Sequence, residues 1–282
     1  MRWDEGHQSP DLIDARGQGG AGVGGLRLGL GGIVLLGVLS LVFGRNFFSL
    51  VGGGGARPAA SGPRRADPAQ DRQVRFVGFV LDDVQATWGQ LMPRLGRPYE
   101  RAQLVVFTEA VRSGCGVAGA ETGPFYCPAD RRVYLDVSFF NELRGRFGAP
   151  GDFAQAYVVA HEVGHHVQTL LGIDARVRQA SAQRPDGENA LSVRQELQAD
   201  CFAGVWAHAT GQRGLVEAGD VEEALGAAAA VGDDRIQRSA GRRVNPERWT
   251  HGSARQRAAW FRRGLQTGDP SRCDTFRDVD PS

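Results

Sequence analysis

His161 and His165 stand four residues apart, and Glu162 adjoins the first of them. On an α-helix, residues i and i+4 share a face with their Cβ atoms about 5–6 Å apart. Two imidazoles at that spacing can hold one zinc ion, with Zn–N bonds of about 2.0–2.1 Å. Glu162 would then stand beside the metal, where a carboxylate can act as general base. Tyr157, Val158, Val159, Ala160, Val163 and Val167 make the segment apolar nearly all round, the pattern of a buried helix. Buried imidazoles and carboxylates need partners, and a metal supplies them. His166 points away from the pair and is expected to be a surface or packing residue.

A catalytic zinc takes three protein ligands and keeps one position open. Glu196 and Asp200 are again i and i+4, within a helical stretch from Leu191 to Ala209. Glu196 is the expected third ligand. Asp200 is the expected partner for the free N–H of a ligand histidine, which fixes the ring and raises its basicity.

These residues need elements to hold them. Asp152 can cap a helix that runs to Gly172, with Gln155 at the capping-box position. Upstream, the apolar spacing predicts a helix over 74–95, then strands at 103–107, 125–127 and 132–136. Ser253 can cap a further helix from Ala254 to Phe261. A helix, a small sheet and then helices make an α+β domain. The strand around Val133 could hold an extended peptide by edge pairing.

Before that domain the composition changes. Residues 1–27 are Gly-rich, charged and without hydrophobic period, and are expected to form a disordered tail. Residues 28–51, uncharged but for Arg45, are apolar enough and long enough for a transmembrane anchor. Residues 52–72 form a Gly/Pro/Ala linker, and 73–282 form the globular domain. The expectation is a single-pass protein of the cell membrane, with the lipid bilayer as one partner and the domain outside the cytoplasm. The net charge of +1 among 282 residues gives no sign of a nucleic-acid-binding surface, and no nucleic-acid partner is expected.

Of the four cysteines, Cys115, Cys127, Cys201 and Cys273, none forms a C-x-x-C pair, so a zinc ribbon is not expected. With the domain outside the cytoplasm, Cys115 would pair with Cys127 across a short Gly-containing loop, and Cys201 with Cys273.

H-E-x-x-H followed by E-x-x-A-D resembles the glutamate-zincin peptidases, which supply a glutamate ligand from a following helix. The match is closer still to the bacterial family called "putative neutral zinc metallopeptidases". It extends from the N-terminal Met-Arg-Trp to the region of Cys273. It rests on Gly123-Pro-Phe-Tyr-Cys-Pro-Ala-Asp130, Gly151-Asp-Phe-Ala-Gln155, Ala160-His-Glu-Val-Gly-His-His166, Glu196-Leu-Gln-Ala-Asp-Cys-Phe-Ala-Gly204 and Thr250-His-Gly252. The resemblance implies a zincin-like fold, bound Zn2+ and a peptide or protein substrate. Some glutamate-zincins also carry a histidine-plus-arginine segment after the third ligand. By that likeness His251 would donate a hydrogen bond to the oxyanion, and Arg257 would clamp Asp200 or Glu196. Two other readings use the same residues. A deformylase-like amide hydrolase would take Cys115 or Cys127 as third ligand, and a membrane scaffold would hold zinc only structurally.

Overall fold

In the computed structural model the structure describes residues 1–17, 67–119, 122–183, 187–241 and 243–277. The chain divides into two units, Met1–Arg16 with Ala66–Ser282, and Gly17–Arg65. Beyond Gly17 the second lies outside the described residues, and the fold below is that of the first.

The first strand, β1 (Leu12–Asp14), is followed by helix α1 (Pro68–Leu91). Next come β2 (Gln103–Phe107), the hairpin β3 (Ala110–Ser113) and β4 (Gly116–Gly119), then β5 (Phe125–Cys127) and β6 (Arg132–Asp136). The remainder is helical: α2 (Phe139–Gly145), α3 (Asp152–Leu170), α4 (Ile173–Gln183), α5 (Glu188–Gln212), α6 (Asp220–Ala230), α7 (Asp233–Ser239) and α8 (Ala254–Thr267). This is an α+β architecture. The main sheet has the order β1-β2-β6-β5, with β1, β2 and β6 parallel and β5 antiparallel.

Three expectations change here. Residues 1–16 are no loose tail. Leu12 pairs with Leu104 in the sheet, and Trp3 meets the Phe76 ring edge-on at 5.3 Å. The Met1 amino group donates to Asp152 Oδ1 at 2.7 Å and to Asp220 Oδ1 at 3.3 Å. The linker ends earlier than expected, because Asp67 caps α1 by accepting from the Ala69 N–H at 3.0 Å. The third change concerns the membrane. No helix among the described residues is long and apolar enough to cross one. The two longest, α1 with 24 residues and α5 with 25, carry charges such as Asp82 and Asp83, or Arg194 and Glu196, along their length. That overturns the expectation of a single-pass, membrane-anchored protein and the bilayer partner. The expected anchor, 28–51, lies outside the described residues.

The sheet order corrects a fourth. β6 is flanked by β2 and β5, so Val133 sits in a central strand with both edges occupied. The outer strand on that side is β5.

α3 lies at the centre of the domain, with Val159, Ala160, Val163 and Val167 in the core. Its N-terminus is not capped by Asp152, which is spent on Met1. Glu223 of α6 accepts from the Phe153 N–H instead, at 3.1 Å, a carboxylate at the positive end of the helix. Gly164 lets α5 approach closely, since a Cβ there would meet Ala199 Cα at 3.1 Å. α5 and α8 meet more tightly still. A Cβ on Gly204 would fall 2.1 Å from Phe261 O, and one on Gly264 would fall 2.0 Å from Cys201 O. Two disulfides, Cys115–Cys127 and Cys201–Cys273, bind β5 to the β3–β4 turn and the C-terminal segment to α5.

Candidate metal centre

One face of α3 carries Tyr157, His161, His165 and Gln168, at helical spacings of four, four and three. α5 presents Glu196 and Asp200 to that stripe. His161 Nε2 lies 3.2 Å from His165 Nε2 and 3.2 Å from Glu196 Oε2, and His165 Nε2 lies 3.4 Å from Glu196 Oε1. Tetrahedral zinc with bonds of about 2.0–2.1 Å separates its ligand atoms by about 3.3 Å. The three donor atoms already stand at that spacing, so the site fits zinc. Glu162, next to His161 on the helix, is 8 % exposed and has no hydrogen-bond partner among the described residues, and its charge acts on His165.

Around the donors lies a polar cage. Asp200, fully buried, faces His161 Nδ1 at 2.9 Å. It accepts Tyr157 Oη–H at 2.5 Å and both Arg257 Nε–H (2.8 Å) and a terminal N–H of the same guanidinium (2.9 Å). This bidentate fork fixes the carboxylate in one plane. Burial alone would lower the His161 pKa, but Asp200 and Glu196 raise it to about 10. Burial opposes ionisation of Glu196 too, yet His165 and His161 hold it well below the usual carboxylate range. The protein therefore gathers negative charge around the two imidazoles. A cation bound there takes the place of the extra proton.

Of the residues singled out from sequence, the structure brings together His161, Glu162, His165, Glu196, Asp200 and Arg257. Arg257 clamps Asp200, with Glu196 Oε2 farther off at 3.9 Å. His251 stands at the rim, its side chain 48 % exposed. Its Nδ1 faces Thr250 Oγ1 at 2.9 Å and Asp233 Oδ1 at 3.4 Å, while its Nε2 has no partner among the described residues. Burial would lower the His251 pKa, but Asp233 and the Glu196 charge raise it. Asp233 Oδ2 also accepts the backbone N–H groups of Thr250, His251 and Gly252, at 2.8, 2.7 and 3.0 Å. Ser192 on α5 donates to Thr250 O at 2.9 Å, which ties that loop to the ligand helix. His166 is apart from the site and fully buried, its ring nitrogens bonded to Tyr126 Oη and Glu100 O.

Sequence reasoning missed Tyr157, Gln168 and Asp233. The first two were detectable as polar residues on the same stripe as the histidines. Asp233 reaches the site only through a loop contact and carried no local signal. The four cysteines are all in disulfides, so no thiolate is available as third ligand and the deformylase-like alternative fails. A second acidic group, Asp152, Asp220 and Glu223, also gathers carboxylate oxygens within 4.8 Å, but the Met1 ammonium already meets its charge.

The donor geometry in this α+β frame fits a zinc site. The chain belongs to the family described as "putative neutral zinc metallopeptidase", whose model matches residues 1–276. That membership implies Zn2+ as the cofactor. The chain is 46% identical over 284 residues to the uncharacterized protein YpfJ of Escherichia coli K12, covering 98% of this chain and 99% of YpfJ. It is 50% identical over 226 residues to the uncharacterized proteins Rv2575 of Mycobacterium tuberculosis H37Rv and Mb2605 of Mycobacterium bovis, covering 76% of this chain and 74% of each relative. No solved structure matches the chain.

Proposed function

We propose that the chain hydrolyses peptide bonds, with zinc held by His161, His165 and Glu196 and with Glu162 as general base. The observation that carries this reading is the set of donor atoms 3.2–3.4 Å apart, with Glu162 next to His161 on the same helix. Bound zinc supplies Lewis acidity, which acidifies water and polarises a carbonyl. Glu162 takes the proton of the attacking water and delivers it to the leaving amine. Asp200, clamped by Arg257 and Tyr157, keeps His161 Nδ1 protonated and its Nε2 turned toward the site. β5, the outer strand, is where an extended substrate can add to the sheet. A purely structural zinc would leave Glu162 without a task. Proteomic cleavage profiling with zinc-loaded wild type and Glu162→Gln tests the reading. New termini made only by the wild type support it, and identical profiles overturn it.

In this reading His251 donates to the developing oxyanion, with Asp233 and Thr250 orienting the ring. His251→Ala is expected to lower kcat and kcat/KM together by about 10²–10³, with KM and zinc content nearly unchanged. Steady-state kinetics with parallel metal analysis checks this, and wild-type kcat removes His251 from the mechanism.

A further inference from the structure

Asp200 accounts for the ring of His161 but not for that of His165. A neutral imidazole offers a lone pair on one nitrogen only, and the hydrogen bond at the other nitrogen decides which. For His165 that partner is Gln168 Oε1, 2.9 Å from Nδ1. An amide side chain can turn either end toward a ring, so the question is what turns the oxygen.

The neighbours of Gln168 answer it. Its Nε2 lies 2.7 Å from the backbone oxygen of Gln195 and 3.1 Å from Gln198 Oε1. A backbone carbonyl accepts and never donates, so the NH2 end must face Gln195. Gln198 is oriented the same way, since its Nε2 donates to Cys273 O at 2.8 Å, which leaves its Oε1 for Gln168. The Cys273 carbonyl is itself pinned, by the Cys201–Cys273 disulfide to α5 and by Thr275 Oγ1 donating to Arg194 O at 2.6 Å. Gln168 is fully buried and Gln198 is 5 % exposed, so water does not compete for these groups.

We propose that Gln168 is the positioning residue for His165, and that hydrogen bonds of fixed direction running from Cys273 O through Gln198 set its polarity. Each link permits one orientation. The Cys273 carbonyl takes the Gln198 amide N–H, Gln198 Oε1 and Gln195 O take the Gln168 N–H groups, and Gln168 Oε1 takes the His165 Nδ1–H. The Nε2 lone pair of His165 is then turned toward His161 and Glu196. This rests on the reading that His165 is a zinc ligand. It adds that the C-terminal segment reaches the metal centre through two glutamines.

The test uses the full chain, zinc itself as the probe, and two substitutions. Gln168→Met keeps the bulk and removes the acceptor. Its zinc affinity, measured by competition with a chelator, is expected to fall about 10–100-fold, as for other outer partners of metal ligands. In zinc-loaded protein labelled with 15N-histidine, the hydrogen-bonded Nδ1 proton of His165 should lose its protection from exchange with water. Gln168→Glu keeps an acceptor at the same place and should retain that protected proton, even though it loses the donors to Gln195 and Gln198. Wild-type affinity and an unchanged His165 signal in Gln168→Met would overturn the proposal. So would loss of the protected proton in Gln168→Glu, which also decides the matter if Gln168→Met does not fold. His165→Ala is the control for the underlying reading. If it keeps zinc, the ligand assignment fails. If it loses zinc while Gln168→Met does not weaken binding, only the role of Gln168 fails.

Discussion

Glu162→Gln is expected to bind zinc as tightly as the wild type and to hydrolyse peptides at least about 10²–10⁴ times more slowly, the usual contribution of a positioned general base. Glu162 adjoins His161, the proposed ligand, but lies outside the group of donor atoms that face one another. It makes no hydrogen bond among the described residues, so an amide of the same shape disturbs no partner. What changes is its capacity to take a proton from water. Metal analysis and hydrolysis assays on the same preparation separate the two effects. Loss of most of the zinc would reassign Glu162 as a ligand, and full activity would place the base elsewhere.

The second large effect belongs to Asp200. Asp200→Asn puts an amide where four donors converge, from Arg257 twice, Tyr157 and His161. The new NH2 faces donors, and Arg257, 3 % exposed, keeps among the described residues only Glu196 at 3.9 Å as a counter-charge. Breaking one side of a buried pair typically costs about 3–5 kcal/mol, and that loss is expected in denaturant unfolding of the zinc-free protein. Zinc affinity should fall as well, by about 10–100-fold, because His161 loses the partner that orients it. The double variant Asp200→Leu/Arg257→Leu separates the two losses. With both charges removed, stability should recover in large part, while zinc affinity should not. Wild-type stability and affinity in Asp200→Asn would show that the cage around His161 is idle.

The parts of this site that could be read in advance are those that local geometry encodes. His161 with His165, and Glu196 with Asp200, each lie one turn apart on a single helix, so spacing alone put each pair on one face. The helix bounds near Asp152 and Gly172 followed from the same local rules. What could not be read depends on distant pairing. β1 joins the sheet through Leu12 and Leu104, across more than ninety intervening positions, and its Gly-rich surroundings obscured it. The capping of α3 by Glu223 rather than Asp152 is a contact between helices, invisible to a rule about adjacent residues. Strand order is likewise a tertiary fact. Val133 has the alternation of any half-buried strand, and nothing in that alternation distinguishes a centre from an edge. Gln168 is intermediate. Its position on the stripe of Tyr157, His161 and His165 was legible, but the orientation of its amide depends on Cys273 O, far along the chain.

Zinc-edge X-ray absorption on the full chain loaded with one equivalent of zinc tests the metal centre most directly. Two imidazole nitrogens at about 2.0–2.1 Å, carboxylate oxygen at about 2.0–2.2 Å and no sulfur are expected, with the carboxylate contribution lost in Glu196→Ala. A sulfur shell near 2.3 Å, or a spectrum that Glu196→Ala leaves unchanged, would contradict this ligand set.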